Sequence, residues 1–331
     1  MALDVNVKIS LSKPIGSVGT WFPLLFVIDA AAETDSYVEF TDAAELAEAG
    51  FDVTSSVYKA ATLLFMQDAA PEKIAVLKQK TFAADGLAKY LAKGWRQLVL
   101  LGGAAANTEA LAAYIEATDK MLFVTASDKT ALTALYEKVK TYDRTFIVYH
   151  TGDENEAAAV VGATAGYEAG SFTYKNIKIK GVEPMELSKI ELDAIHDLGA
   201  ITIVEKAGDV VTSEGMTAGG EYADIVDSLD YIVQNIAYKT QKVFNNNKKV
   251  PYTDGGIGSL EAETLAVLSN AHKNGMIADD ADGNPSYATS FALRSQTTAE
   301  DREARNYPYG KFNFELAGAI HSCNINGTVT V

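Results

Sequence analysis

Five short apolar runs lie between residues 21 and 167, and amphipathic patterns separate the later ones. The runs are 23–28, 73–78, 97–103, 120–126 and 144–150. Between the last two, a cap at Ser127 or Asp128 precedes apolar residues at helical spacing, namely Leu132, Leu135, Tyr136 and Val139. Apolar strands that alternate with helices are typical of a parallel sheet covered on both faces. The sequence therefore predicts an α/β domain, a parallel sheet with helices.

After residue 170 the pattern changes to a mixture of strands and long helices. Strands are predicted at 171–182 and 201–211, with a short helix around Leu187 to Ile195 between them. Further along we expect a long helix from Tyr222 that breaks at 245–251, a second helix over 259–273, and strands at 287–294 and 314–331. This half is predicted to be α+β.

Both ends of the chain show the alternation of a strand with one buried face. At the N-terminus the apolar positions are Leu3, Val5, Val7, Ile9 and Leu11. Pro14, Gly16 and Gly19 follow and predict a flexible connection. At the C-terminus Asn324 alternates with Ile325, Val329 and Val331. Neither terminal strand has a hairpin to fold it back, so each needs a partner from elsewhere.

The composition disfavours several classes of function. A net charge of −16 would repel a phosphate backbone, which argues against nucleic-acid binding. The single cysteine excludes an internal disulfide and fits a reducing compartment. The N-terminus lacks the pattern of a secretory signal, and no apolar run has the length of about 18 residues that a membrane helix needs. We expect a soluble protein that is not secreted.

Catalytic and metal-binding patterns are not found. The four histidines, His150, His196, His272 and His321, are not at metal-ligand spacing. Cys323 is expected to be a buried apolar residue on the last strand. No nucleophile elbow and no P-loop occurs in the sequence. We therefore predict no enzymatic activity, no cofactor and no metal.

Three turns could be mistaken for ligand sites. Gly102 and Gly103 precede a helix with an expected cap at Asn107, but a plain turn is favoured because no basic residue is near. The 253–263 segment has two carboxylates where an anion would bind, so it is interpreted as a turn. The acidic 279–283 segment lacks the calcium-loop register and is interpreted as a solvated turn.

Four segments together resemble the C-terminal domain of the tail sheath proteins of contractile phages and phage-tail-like bacteriocins. They are residues 221–236, 245–257, 300–305 and 316–331, and residues 5–27 are similar to the family's N-terminal arm. The resemblance implies an arm and linker over 1–20, an outer α/β domain over 21–205, an inner α+β domain over 206–315 and a C-terminal arm strand over 316–331. It implies no catalytic role.

In that family, subunits polymerise with six-fold helical symmetry around an inner tube, and terminal arms add strands to neighbouring subunits. The resemblance thus implies that the alternating end residues are inter-subunit arms, with Pro14, Gly16 and Gly19 as hinge. For contact with the tube protein it points to Asp301, Arg302 and Arg305. A second candidate is the basic set Lys239, Lys242, Lys248 and Lys249. Baseplate and tail terminator proteins are further expected partners, in a virion tail or phage-tail-like particle assembled in the bacterial host cytoplasm.

Two other interpretations stay open from the sequence. A flavodoxin-like enzyme or small-molecule-binding protein would use the turn at Gly102 and Gly103. A static shell or filament subunit would share the arms but form only one lattice. A contractile sheath would form both a long narrow and a short wide tube.

Overall fold

The computed structural model describes residues 21–102, 105–152 and 155–325. Its largest element is a seven-stranded sheet in the order β2-β3-β1-β4-β5-β6-β7. All neighbours are parallel except β2, which pairs antiparallel with β3 at one edge. The strands are β1 (Phe22–Ile28), β2 (Ser36–Phe40), β3 (Ile74–Gln79), β4 (Trp95–Leu101), β5 (Met121–Ala126), β6 (Thr145–Tyr149) and β7 (Ala200–Ile201). The five strands predicted from apolar runs are confirmed, and the parallel sheet with them.

Helices cover both faces of this sheet, which explains why its central strands are apolar throughout. They are α1 (Ala43–Glu48), α2 (Ser56–Phe65), α3 (Ala84–Ala88), α4 (Ala105–Glu116), α5 (Lys129–Val139), α6 (Glu156–Gly162) and α7 (Lys189–His196), with a 3₁₀ turn at Leu91–Lys93. The Asp128 side chain caps α5, as predicted, by accepting from the amides of Thr130 and Ala131. The predicted Asn107 cap is wrong, because α4 begins at Ala105 and already contains that residue.

Residues 163–222, which follow α6, contain one hairpin, β8 (Ile203–Lys206) and β9 (Asp209–Thr212). The expected division at residue 205 lies inside β8. The strand predicted over 171–182 is wrong, because this stretch makes only an isolated bridge from Lys178 to Val211. The stretch is held by separate backbone hydrogen bonds to β9, among them one from the Ile179 amide to the Val210 carbonyl at 2.9 Å. The Gln67 side chain adds two more: its oxygen accepts from the Lys180 backbone amide at 2.9 Å, and its nitrogen donates to the Lys180 carbonyl at 2.8 Å.

Two long helices, a two-stranded ribbon and two short helical turns form the C-terminal part. They are α8 (Ala223–Asn246), α9 (Asp254–Lys273), β10 (Tyr287–Phe291), a 3₁₀ turn (Arg294–Gln296), α10 (Ala299–Glu303) and β11 (Gly310–Phe314). The interpretation of 253–263 as a turn and the predicted helix start near Ser259 are wrong, because α9 begins at Asp254 behind a Thr253 cap. Gly256 lets this first turn pass close to the preceding chain, since a Cβ there would lie 1.9 Å from the Pro251 carbonyl oxygen.

Three hydrophobic cores result. Two lie on opposite faces of the seven-stranded sheet; Phe123 and Phe146 stack in one of them, and Phe26 and Trp95 are fully buried in the other. The third lies between α8, α9 and the ribbon. Its buried members are Ala169, Tyr231, Ile232, Ile236, Val267, Leu268, Ala271, Met276 and Ile277. In the part of the chain that the structure describes, no helix is both long enough and apolar enough to cross a membrane.

A buried cluster of four charged side chains joins the sheet to α8. Arg96 begins β4, Arg144 precedes β6, and Asp227 and Asp230 lie one turn apart on α8. The Arg96 guanidinium pairs with Asp227 and lies 3.0 Å from Asp230. Arg144 binds both oxygens of Asp230, at 2.6 and 2.7 Å. Two positive and two negative charges therefore balance inside the protein.

The polar neighbours of this cluster complete its hydrogen bonding. The Tyr174 hydroxyl donates to Asp227 at 3.1 Å, and the Gln97 amide donates to Tyr174 at 3.0 Å. Burial alone would lower the pKa of the Arg96 guanidinium, but the charges of Asp227 and Asp230 raise that pKa above its usual value. Arg96 therefore stays charged, and it holds α8 against the end of the sheet at which strands β4 and β6 begin.

We predict that Asp230→Ala lowers the free energy of unfolding by about 3–5 kcal/mol, because it leaves two buried guanidinium groups short of a partner. Urea denaturation followed by circular dichroism measures the change. A matched control is Asp193→Ala on α7, which breaks an exposed pair with Lys189. The control is expected to cost less than about 1 kcal/mol. Equal losses in the two variants would contradict a structural role for the buried cluster.

Candidate assembly surfaces

The β10–β11 ribbon has two open edges. Among the described residues, no third strand lies beside either member. In the register of the two strands, Ala288 lies opposite Asn313, and the Glu315 amide donates to the Ser286 carbonyl at 3.0 Å. In an antiparallel pair every second residue turns its backbone groups away from its partner. The amide and carbonyl of Thr289 therefore face outward on one edge, and those of Phe312 and Phe314 on the other, whereas the Tyr287 amide donates to the Pro285 carbonyl at 2.9 Å.

One face of the ribbon is fixed to the body of the protein. Phe312 and Phe314 stack on each other with ring centroids 6.1 Å apart and pack on the third core. The Thr289 hydroxyl donates to Glu261 on α9 at 2.8 Å. The opposite face, which carries Ala288, Ser290, Lys311 and Asn313, is exposed. A supported ribbon with free edges is a template to which further strands can add.

Residues 315–325 leave the ribbon and run to the sheet domain. The Ala317 amide donates to the Met276 carbonyl, and the Ala319 amide donates to Asp224 on α8. The His321 ring then lies between Glu214 and Thr173, with its Nδ1 2.6 Å from Glu214 and its Nε2 2.9 Å from the Thr173 hydroxyl. This segment is extended and leads away from the ribbon of its own subunit.

The prediction of one strand over 314–331 is wrong for its described part. β11 ends at Phe314, and residues 317–325 form no strand. Cys323 is exposed, not buried, and Asn324 and Ile325 are exposed as well. Among the described residues no strand lies beside this segment, so the alternation of apolar residues meets no paired surface there.

Most of the predicted arm falls outside the described residues. This applies to Leu3, Val5, Val7, Ile9 and Leu11, to the predicted hinge at Pro14, Gly16 and Gly19, and to Val329 and Val331. The first described residue after the N-terminal segment is Trp21. Its ring stacks on the Arg96 guanidinium at 4.6 Å and packs against the third core.

The segment predicted to contact the tube forms the α10 loop, residues 292–309. Asp301 and Arg302 hold this loop together from inside. The Asp301 carboxylate accepts from the hydroxyls of Thr298 and Tyr309, and the Arg302 guanidinium donates to the Thr297 carbonyl. Arg305 is different, because it is exposed and has a left-handed backbone with φ of 56°. Of the three candidates, Arg305 is the one that presents its charge to solvent.

An aromatic cluster that the sequence analysis missed holds the α10 loop in place. Tyr307 stacks on Phe291 at 6.2 Å, contacts Tyr252 at 5.9 Å, and donates its hydroxyl to the Ala292 carbonyl at 2.8 Å. The Tyr252 hydroxyl donates to the Asn306 carbonyl at 3.1 Å. Three tyrosines and a phenylalanine near one another in the C-terminal third were the available signal.

The contact of Tyr252 with Asn306 brings the two predicted basic sets together. Lys248 and Lys249 lie just before Tyr252, and Arg305 directly precedes Asn306. All three are exposed, and we call them the basic corner. Lys239 and Lys242 are exposed on the last two turns of α8, and Lys242 lies over the Tyr238 ring at 5.5 Å. The two sets were predicted as alternative tube contacts, whereas in the fold the segment with Lys248 and Lys249 and the segment with Arg305 are neighbours.

The features that would support a ligand-binding protein have structural explanations. Gly102 ends β4 with φ of 74°, which a turn at this sheet edge requires. A cavity of about 490 Å³ lies near the end of β6. The His150 ring beside it is placed by Glu156 at 3.0 Å and the Glu183 carbonyl at 2.9 Å. Asp280 turns its carboxylate toward the amides of Asp282 and Asn284, and no group of metal ligands occurs among the described residues.

Comparison with known proteins identifies the fold. Neither a protein-family model nor a curated protein sequence matches the chain. Solved structures do match it. The contracted PVC sheath complex of an extracellular contractile injection system has a TM-score of 0.74 at 13% identity, covering 100% of this chain and 98% of that one. The contracted helical sheath of the anti-feeding prophage has a TM-score of 0.66 at 13% identity, covering 99% and 98%.

The chain has the fold of contractile sheath proteins. A third structure, the sheath tail protein of Desulfitobacterium hafniense, has a TM-score of 0.58 at 10% identity and covers 86% of this chain and 93% of its own. The resemblance inferred from the four C-terminal segments is thus confirmed at the level of fold. The sheath fold extends over the N-terminal half, where the sequence was least distinctive.

The α10 loop of this sheath fold is expected to depend on pH through Asp301. Hydrogen bonds from Thr298 and Tyr309 lower the pKa of Asp301 below its ordinary value of 3.8. A lowered pKa stabilises the fold above that ordinary value, and the contribution is lost as the pH falls through the lowered pKa. Tyr309→Phe should therefore raise the pKa of Asp301 and weaken this acid sensitivity.

An NMR titration of the Asp301 carboxyl carbon measures the effect. The control is Tyr252→Phe, which removes a hydroxyl that binds a carbonyl of the same loop and no carboxylate. The same Asp301 pKa in wild type and Tyr309→Phe would contradict the assignment.

Proposed function

We propose that this chain is the structural, non-catalytic subunit of a contractile sheath, which polymerises around an inner tube and contracts to drive that tube through a target cell envelope. The observation that carries the proposal is the supported ribbon with two open edges, on a chain with the sheath fold over its full length. The particle is a virion tail or a phage-tail-like particle, assembled in the bacterial host cytoplasm.

Strand addition is the proposed bond between subunits. Residues 3–11 of one copy and 324–331 of another add to the two edges of the β10–β11 ribbon of a third. Each added strand gives a few backbone hydrogen bonds, at about 1 kcal/mol net each. One such contact is weak, but two per subunit repeated along a lattice form a continuous mesh.

Contraction is proposed to be a change of lattice between rigid subunits. The buried charge cluster holds the sheet and the C-terminal part together, so the motion falls on the linkers. Pro14, Gly16 and Gly19 are the proposed hinge. The free energy comes from the difference between two packings of the same subunits, and no nucleotide is consumed. We place the outer domain at 21–205 and the inner domain at 206–315.

The inner tube is proposed to bind at the basic corner and the exposed end of α8. On a chain with net charge −16, exposed cations that a rigid loop holds side by side suit an acidic surface of another protein. Arg305, Lys248 and Lys249 present the charge, with Lys239 and Lys242 beside them. Asp301 and Arg302 act indirectly, because they hold the loop. Baseplate and tail terminator proteins complete the proposed set of partners.

Electron microscopy of the purified chain, with the Thr289→Pro variant, tests the proposal. The wild type is expected to form long tubes in two lattices, one narrow and one wide. Thr289→Pro removes an outward-facing amide from the β10 edge and keeps the ladder to β11, so it should prevent tubes while the subunit stays folded.

Thr289→Val is the matched control for this experiment. It removes the same hydroxyl contact to Glu261 but keeps the backbone amide, so its tubes should be normal. Wild-type protein that stays a discrete soluble particle, with a ligand-dependent rise in melting temperature, would support the flavodoxin-like alternative and contradict the sheath. A single lattice under all conditions would indicate a static polymer.

Charge reversal at the basic corner tests the tube contact. Arg305→Glu should weaken binding of the tube protein by about tenfold or more, because it replaces an attraction by a repulsion. The measurement is co-sedimentation of sheath with purified tubes. Lys80→Glu is the control, since it makes the same charge change at an exposed residue after β3. Equal binding by both variants would contradict a contact at this corner.

A further inference from the structure

The two ends of the described chain converge on one helix. At the N-terminal end, Trp21 stacks on Arg96 at 4.6 Å, and Arg96 is paired with Asp227 of α8. Trp21 also lines a cavity of about 320 Å³ together with Tyr231 and Asn235 of the same helix. The residue at which the N-terminal segment joins the body is therefore held beside α8, through Arg96 and next to Tyr231 and Asn235.

The C-terminal segment reaches α8 from the other direction. The Ala319 amide donates to the Asp224 carboxylate at 3.2 Å, and the His321 ring contacts Tyr222 edge-on at 4.8 Å. Beyond the helix, His321 lies 2.6 Å from Glu214, which itself pairs with Lys175 at 2.6 Å. These contacts are specific and buried: the side chain of His321 is 12% exposed and that of Glu214 is 13% exposed.

Asp224 and Asp227 are three residues apart, so they lie one above the other on a single face of α8. Asp230 continues the same face and binds Arg144. The three carboxylates thus make three contacts in order along the helix. Asp224 binds the C-terminal segment, Asp227 binds Arg96, on which Trp21 stacks, and Asp230 binds the sheet domain through Arg144.

We propose that the first two turns of α8 are the junction through which tension passes between neighbouring subunits. This proposal rests on the proposed sheath function. When neighbours pull on the two arms of one subunit, the load enters at Trp21, crosses Asp227 and Asp224, and leaves at Ala319 and His321. Trp21 directly precedes β1, so its contact with Arg96 and the Arg96–Asp227 pair let α8 share a load that β1 would otherwise carry alone.

Hydrogen exchange of the unassembled protein tests the anchor itself. His321→Ala and Asp224→Ala should each make the amides of residues 317–321 exchange about tenfold faster or more, as the loss of hydrogen bonds to charged groups predicts. His150→Ala is the control, because His150 makes a comparable buried contact with Glu156 at the opposite end of β6 from α8. Unchanged exchange in both anchor variants would overturn the proposal.

Contraction of assembled tubes in mild urea, viewed by electron microscopy, tests the load path. Tubes of wild type and His150→Ala should contract intact, and tubes of His321→Ala or Trp21→Ala should break into short pieces. Trp21→Phe keeps a ring over Arg96 and should restore intact contraction. Intact contraction of both anchor variants would overturn the load path while leaving the sheath function standing. Failure of the wild type to form tubes would overturn the sheath function, and the exchange result would still decide the anchor.

Discussion

The buried pairing of Arg96 and Arg144 with Asp227 and Asp230 is the contact on which the arrangement of this protein depends. It joins α8, the long helix of the C-terminal part, to the end of the sheet at which strands β4 and β6 begin. Buried ion pairs often add little net stability, but they tolerate only one geometry, because each displaced charge would be left unpaired in a poorly solvated site. The cluster therefore fixes where α8 lies, and α8 in turn carries α9 and the ribbon.

A fixed α8 determines what the ribbon can do. Since α9 and the third core support one face of β10 and β11, the two edges are presented to the outside in a constant orientation. Edges of this kind are a liability in a solitary protein and a means of assembly in a polymer. The same rigidity places the basic corner, where Tyr252 and Tyr307 hold the α10 loop beside Lys248 and Lys249.

The sequence predicted best those features that depend on local pattern. The apolar runs of β1 and β3 to β6 and the Asp128 cap of α5 needed only neighbouring residues. Features that depend on distant partners could not be predicted. Arg96 and Asp227 are 131 residues apart, and each occurs in a segment where a polar residue suggests solvent. The alternation near Ile325 predicted a strand, but a strand forms only beside a partner, and the described residues place none there. Among the tube-contact candidates, Arg305 is exposed, whereas the side chains of Asp301 and Arg302 form hydrogen bonds within the α10 loop.

A cryo-electron microscopy map of the assembled polymer, at a resolution that separates strands, tests the central claim most directly. The account predicts a four-stranded intermolecular sheet, in which β10 and β11 are flanked by residues 3–11 of one neighbour and 324–331 of another, with the Arg96–Asp227 pair intact in every subunit. A ribbon that remains two-stranded in the polymer, or whose edges are filled by the termini of its own subunit, would contradict it.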